Sequence, residues 1–493
     1  MRYVIGIDIG TTNTKAVAFT EAGQVLGSAE TSYPVFSDAT GRHELEPAQL
    51  FDAVLTVLLQ VTEDRKPEEI AMAVSFSCAM HSLILVGEDG KPLTRAMTWA
   101  DRRSEPYAKA LKGSEQGQRL YRQTGTPVNA MSPLCKLLWL KDREPELFRK
   151  AAKFISIKEY IWWRLLGKYQ VDHSLASATG LFDIRELSWS SEALELAGIR
   201  ASALSTPVPT MHRETELIST WRTILPSGTP FIIGASDGCL ANLGTGAVRP
   251  GATALTIGTS GAVRMAATAP EHDPQERIFN YILAEGRYIA GGATNNGGNA
   301  VQWYADLMLG KHDEGTLEGL TVAAERVAPG AEGLVFLPYL LGERAPVWDA
   351  EAKGVFFGVR AVHRQEHFTR ATLEGISYGL RQIGASLEET IGPIEHIYAS
   401  GGFTRNKSWL QLIADIFQKP VCVTAQADAS AIGAGMLAWV ALGVYTLEEA
   451  AALASVADTY EPNKALAEVY QGNYRIFSQL YSRLKDLMHA SGL

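Results

Sequence analysis

Two short segments about half a chain apart read almost alike: "IGTTNTKAVA" from Ile9 and "IGTSGAVRMA" from Ile257. Each follows a β-rich run, carries Gly-Thr and a further hydroxyl residue, and resumes as a strand. A duplication at that spacing constrains the fold strongly, because it calls for two similar α/β halves facing one another across a cleft. Tyr3 to Ile9 and Lys15 to Phe19 are the strands expected around the first turn. Gly10 allows that turn to be tight, and the small Thr11, Thr12 and Thr14 leave backbone N–H groups uncovered, an arrangement that cradles phosphate oxygens. Asp8 then stands where it can hold a magnesium ion through water. An ordinary hairpin with a Thr-rich turn fits the segment as well.

Further short apolar runs from Ile70, Thr229, His396 and Pro420 read as strands. Helical spacing over 47–61, 136–147, 367–387 and 407–418 alternates with them, which is the order of an α/β protein. The apolar stretch from Ala431 to Tyr445 is short for a membrane span and rich in Gly and Ala, so it reads as a core helix. Gly, Thr and Pro collect at 242–251, which places a boundary between an N-terminal domain of 1–245 and a C-terminal domain of 246–493. With 493 residues, both can bury a core. Packed domains with a hinge are expected, since no Pro/Ser linker separates them.

A formal charge of -9 gives no electrostatic footprint for nucleic acid or an anionic membrane, so any anionic ligand needs a local site. Cys78, Cys135, Cys239 and Cys422 lie far apart without a C-x-x-C pair, which argues against disulfides and zinc and for buried thiols in a reducing compartment. The N-terminus lacks the pattern of a secretion signal, because Asp8 interrupts it. A cytoplasmic protein is expected.

The chemistry-bearing residues cluster after strands. "GASDGCL" puts Asp237 just beyond an apolar strand, where an open α/β sheet binds its ligands. It suits a general base accepting a hydroxyl proton, although an Asp there also serves as a turn former or helix cap. Met80 and His81 follow one strand, and Trp99, Asp101, Arg102 and Arg103 follow another. An aromatic face beside carboxylate and guanidinium groups suits a polyhydroxylated ligand; a salt-bridged surface, a buried Trp and a core histidine account for the same residues. Gly401-Gly402 before a helix, and "GGATNNGGNAVQW" at 291–303, hold more glycine than a plain turn requires and favour a ligand approaching the backbone. Gly167-Lys168 is followed by Tyr169, so no P-loop exists, and "GAGMLA" from Gly433 lies inside a helix, where it signals close helix packing.

Taken together, these residues resemble the FGGY carbohydrate kinases, members of the actin-like ATPase superfamily, over essentially the whole chain. "MSPLCKLLWLKD" at Met131 is similar to the first family signature, with Arg143 departing from its last position, and "GVFFGVRAVHRQEHFTRATLE" at Gly354 is similar to the second. "LGERAPVWD" at Leu341 resembles the G-E-R-x-P segment. Within the family, "TGTPVNAMSP", "IKEY", "VDHSLASATGLFD", "ASDG" and "NNGGN" are most similar to the members acting on gluconate, with those acting on xylulose next.

The resemblance implies an α/β protein of two ribonuclease-H-like domains flanking a catalytic cleft, with sugar on the N-terminal domain and ATP on the C-terminal one. It implies transfer from Mg-ATP to the 6-hydroxyl of D-gluconate, with xylulose or another pentulose or polyol as the alternative acceptor. A nucleotide-driven assembly protein is the more distant alternative. Carried over by position, Asp8 organises Mg2+, Thr11 and Thr12 approach the γ-phosphate on a loop closed by Lys15, and Asp237 is the base. Gly258 and Thr259 hold phosphates, Gly298 and Gln302 line the ribose side, and Gly401, Gly402 and Asn406 face the adenine. Met80, His81, Trp99, Asp101 and Arg102 line the sugar pocket. A sugar acid wants a cation, for which Arg102, Arg103, Arg344 and His81 are candidates. The family's frequent dimers imply a homodimer.

Overall fold

The two repeated segments form corresponding hairpins. The computed structural model describes residues 1–490 apart from 64, 67, 223, 311–313, 426 and 427. Arg2–Ile9 pairs antiparallel with Asn13–Thr20 around the first turn, and Ala252–Ile257 pairs antiparallel with Gly261–Ala267 around the second. Val4, Ile5, Ile7 and Ile9 are buried on both faces, as β-branched residues at a sheet centre are.

The sheets grow around the hairpins in the same way. In the first, Val25–Ser32 adds antiparallel to the second hairpin strand, while Ile70–Cys78 and then Phe231–Ser236 add parallel on the other side. In the second, Arg287–Thr294 adds antiparallel, while His396–Ser400 and then Val421–Thr424 add parallel. Edge strands extend these to six and seven strands among the described residues. Two copies of this order are the two similar α/β halves expected from the repeat, and they agree with the ribonuclease-H-like domains that the resemblance implies.

Two sequence readings need correction. The helical pattern at 136–147 is two helices, Pro133–Arg143 and Pro145–Lys150. Pro145 lacks an N–H and drives Glu144 out of helical geometry, to φ -131° and ψ 50°. The apolar stretch from Ala431 belongs to a helix of Ala429–Ala441, and Gly443 turns the chain at φ 76°.

That helix is a core helix with an unexpected partner. Although it lies in the chain between two strands of the second sheet, Val421–Thr424 and Val456–Tyr460, it packs on Arg2–Ile9 and Ile70–Cys78 of the first and crosses the Asp237–Gly244 helix. Glycines permit the crossing: a Cβ at Gly433 would sit 1.9 Å from the Leu240 carbonyl oxygen, and one at Gly244 1.9 Å from that of Ala429. Gly433→Ala is expected to destabilise the protein by about 1–3 kcal/mol or more, because rigid backbone must move apart. Urea unfolding checks this, and a loss below about 0.5 kcal/mol, the size of an ordinary surface change, would mean that the helices slide freely. All four cysteines are buried and free. Among the described residues, no helix is long and apolar enough to cross a membrane.

Candidate active site

Asp237 is the first residue of the Asp237–Gly244 helix, at the end of Phe231–Ser236. The capping role is already filled, since the Ser236 hydroxyl accepts from the Cys239 N–H at 3.4 Å. The Asp237 carboxylate therefore faces the cleft, accepting only a close local bond from the Gly238 N–H at 2.7 Å among the contacts described. Its support comes from distant segments. Ser174 bonds both the hydroxyl and the N–H of Ser236, at 3.0 and 3.1 Å. Lys158 donates to the Ala235 carbonyl at 3.0 Å and pairs with Asp172 at 2.6 Å, with both side chains buried. "IKEY" and "VDHSLAS" thus hold the strand end that presents Asp237, a role the sequence reading missed.

A cavity of about 280 Å³ lies between the domains, lined by Met80, His81, Trp99 and Asp237 on one side and Arg264, Tyr281 and Arg344 on the other. His81 adopts φ 68°, rare outside glycine. The Ala178 carbonyl accepts from Nδ1–H at 2.8 Å, leaving Nε2 facing the Tyr281 hydroxyl at 3.4 Å. Burial, then the nearby Lys136 ammonium, pushes the imidazole down to about 3, so His81 is neutral. Fully buried Lys136 donates to the carbonyls of His81 and Thr98 at 2.5 and 2.7 Å. It ties the two sugar-side segments together, and burial lowers its pKa to about 7.

The cation candidates separate. Arg103 is engaged by Asp101 at 2.7 Å and by Glu44, and Asp101 also accepts from the His43 N–H, so this buried carboxylate ties its loop to the His43–Leu45 strand. Asp101 and Arg102 line an adjoining cavity of about 290 Å³ that shares Trp99 and Arg344 with the first. Arg344 lies 4.8 Å from the Trp99 ring centre. Arg264 escaped the sequence reading entirely; its only signal was a lone arginine in an apolar strand.

Asp8 receives the Ser77 hydroxyl at 2.6 Å, and burial, then the neighbouring Asp237 carboxylate, pushes it up to about 7. Burial also raises Asp237, against the opposing charge of Arg264. Two like-charged carboxylates sharing a cleft suit a bound divalent cation, which relieves their repulsion. Lys15 is held by Asp428 at 3.0 Å and Glu30 at 3.2 Å. Thr11 and Thr12 sit on the first turn, braced by the Tyr33 hydroxyl donating to the carbonyls of Gly10 and Asn13 at 2.7 and 2.9 Å.

The second turn is exposed at Gly258 and Thr259. Gly298 opens the Gly298–Leu309 helix and donates to the Gly258 carbonyl at 2.8 Å, an approach that a Cβ, only 2.7 Å from that oxygen, would block. Glu343 clamps the same region by accepting from the Thr294 hydroxyl at 2.7 Å and the Asn295 N–H at 2.9 Å, which joins "GER" to "NNGGN". Gln302 is exposed on the same helix. Because Ser400 pairs with Thr256, Gly401 and Gly402 stand beside this turn. Gly401 at φ 98° abuts the Ile257 carbonyl, while space is open at Gly402. Asn406 caps the Lys407–Phe417 helix through the Trp409 N–H at 3.0 Å and donates to Thr321 at 2.8 Å.

This architecture has known counterparts. Residues 3–244 match the N-terminal domain of the FGGY family of carbohydrate kinases, and 253–442 match its C-terminal domain. A gluconokinase of Bacillus subtilis (strain 168) is 43% identical, over 90% of this chain and 88% of that one. The crystal structure of a gluconate kinase from Lactobacillus acidophilus superposes with a TM-score of 0.94 at 34% identity, covering 98% of both chains. A ligand-bound xylulose kinase structure from the same organism also gives 0.94 at 34%, covering 98% of this chain and 99% of that one, so backbone shape does not choose between acceptors. With both domains matched in order across a shared cleft, the chain belongs to the FGGY family of carbohydrate kinases.

Proposed function

We propose that the protein transfers the γ-phosphate of ATP to the 6-hydroxyl of D-gluconate, giving 6-phospho-D-gluconate. The observation that carries the reaction is Asp237, relieved of capping by Ser236 and facing a cavity of about 280 Å³ that the turn at Gly258 also lines. Gluconate as the acceptor is supported by the 43% identity to a gluconokinase. Asp237 takes the hydroxyl proton as that oxygen attacks phosphorus. The N–H groups of Gly10 and Gly258 close their own turns, those of Thr11, Thr12, Thr259 and Ser260 hold phosphate oxygens, and Gly402 leaves room for the adenine. Asp8, beside Asp237 in the cleft, would hold Mg2+, and when bound the ion neutralises phosphate charge. His81 and Trp99 shape the sugar side, and Arg102 and Asp101 its rim. A cytoplasmic homodimer completes the reading.

A coupled assay across gluconate, xylulose, ribulose and glycerol tests it. Turnover is expected with gluconate well above the others. Strong turnover with a ketose and none with gluconate would replace the proposal with a xylulose kinase. Sugar-independent hydrolysis coupled to assembly would replace it with a nucleotide-driven assembly protein.

A further inference from the structure

We propose that Arg264 and Arg344 together form the receptor for the substrate carboxylate, and that Arg264 sets the preference for a sugar acid over a neutral sugar. The inference rests on the gluconate reading above and adds the residues that enforce it.

Arg264 rises from Gly261–Ala267, where its strand neighbours are buried and apolar, and enters the cavity beside the Asp237 helix. The approach is close: a Cβ at Gly238 would lie 2.9 Å from its Nε. Among the described residues, the Nε atoms of both Arg264 and Arg344 are shielded from solvent and have no hydrogen-bond partner. A shielded donor without a partner is costly, and two such donors on one cavity wall point to a ligand that supplies the acceptors. Arg344 is oriented by a bond to the Thr294 carbonyl at 3.0 Å and by the Trp99 ring.

Two acids, Glu343 and Asp237, face the pair, and among the described residues neither is hydrogen-bonded to a guanidinium. Glu343, next to Arg344 in sequence, spends its carboxylate on Thr294, Asn295, Asn296 and the Arg344 N–H. His81 is neutral, and the remaining acid facing both guanidiniums is Asp237. Both guanidiniums therefore keep donors for a carboxylate brought by the ligand. A guanidinium takes a carboxylate with two parallel donors, which a hydroxymethyl group cannot match. A neutral sugar would leave those donors buried and unpaired, the strongest basis for rejecting an analogue.

The test compares D-gluconate with D-glucitol, which has the same carbon skeleton and a hydroxymethyl group for the carboxylate. Binding to wild type and Arg264→Gln is measured by titration calorimetry without ATP, and kcat and KM are measured with both acceptors. Gluconate is expected to bind about 30-fold or more weakly to Arg264→Gln, the usual result of removing one partner from a shielded charge pair, with glucitol changed by less than about 3-fold. Most of the kinetic loss should fall on KM. Equal weakening of both ligands, or a loss confined to kcat, would overturn the proposal and assign Arg264 to the travelling phosphoryl group. If Arg264→Gln melts early, Arg264→Lys decides: it must lower the gluconate-to-glucitol preference, because an ammonium keeps charge without the bidentate fork, and an unchanged ratio refutes the role. Wild-type protein that neither binds nor phosphorylates gluconate would refute the acceptor reading itself. Wild type that does both, with Arg264→Gln unaltered, would refute this inference alone.

Discussion

Asp237→Asn is expected to lower kcat by about 10²–10⁴-fold in a protein that melts close to wild type, because the change removes a general base and little else. Asn is nearly isosteric, and its side-chain oxygen can still accept from the Gly238 N–H. The helix keeps its cap, which belongs to Ser236, and the strand end keeps its ties to Ser174 and Lys158. ATP binding should change little, since the carboxylate is assigned to the acceptor hydroxyl. A purely structural Asp237 leads to a different result: an amide caps and forms turns as well as a carboxylate, so turnover would survive. Measuring kcat and melting temperature on one preparation separates these outcomes, and near-wild-type turnover would remove Asp237 from the chemistry.

Lys158→Met should cost about 3–5 kcal/mol of stability, the usual loss when one partner of a buried ion pair is removed. Asp172 is fully buried and would lose the ammonium 2.6 Å away, and the Ala235 carbonyl would lose its donor. Replacing both charges, as in Lys158→Met with Asp172→Leu, should recover part of that loss, because no uncompensated charge remains. Asp172 also caps the His173–Ser177 helix through the Leu175 N–H, so recovery should stop short of complete. Urea unfolding of the two variants checks both statements. A loss below about 1 kcal/mol for Lys158→Met would mean that the pair behaves like an exposed one.

The fold and half of the site were legible in the sequence because their signals are local. Alternating β-branched residues around Gly10 and Gly258 specify hairpins by propensity alone, and their repetition specifies two like domains. Asp237 was legible for the same reason: a lone acid directly after an apolar strand lands at the sheet's ligand-binding end. The local signal failed where a side chain's role depends on a distant partner. The sequence showed Asp101 beside a candidate cavity but not its pairing with Arg103, and it showed the helix from Ala429 but not that the glycines at 433 and 244 let it cross to the other sheet.

By itself, then, the sequence determined the duplicated α/β architecture, the two turns and the acid at the strand end, since each follows from residue type and short spacing. The tertiary structure decided which charges meet: Lys136 on the carbonyls of His81 and Thr98, Lys158 on Asp172, and Arg264 across the domain boundary beside Asp237. Burial and partner geometry govern what a charge does, and neither exists until segments remote in the chain have packed together.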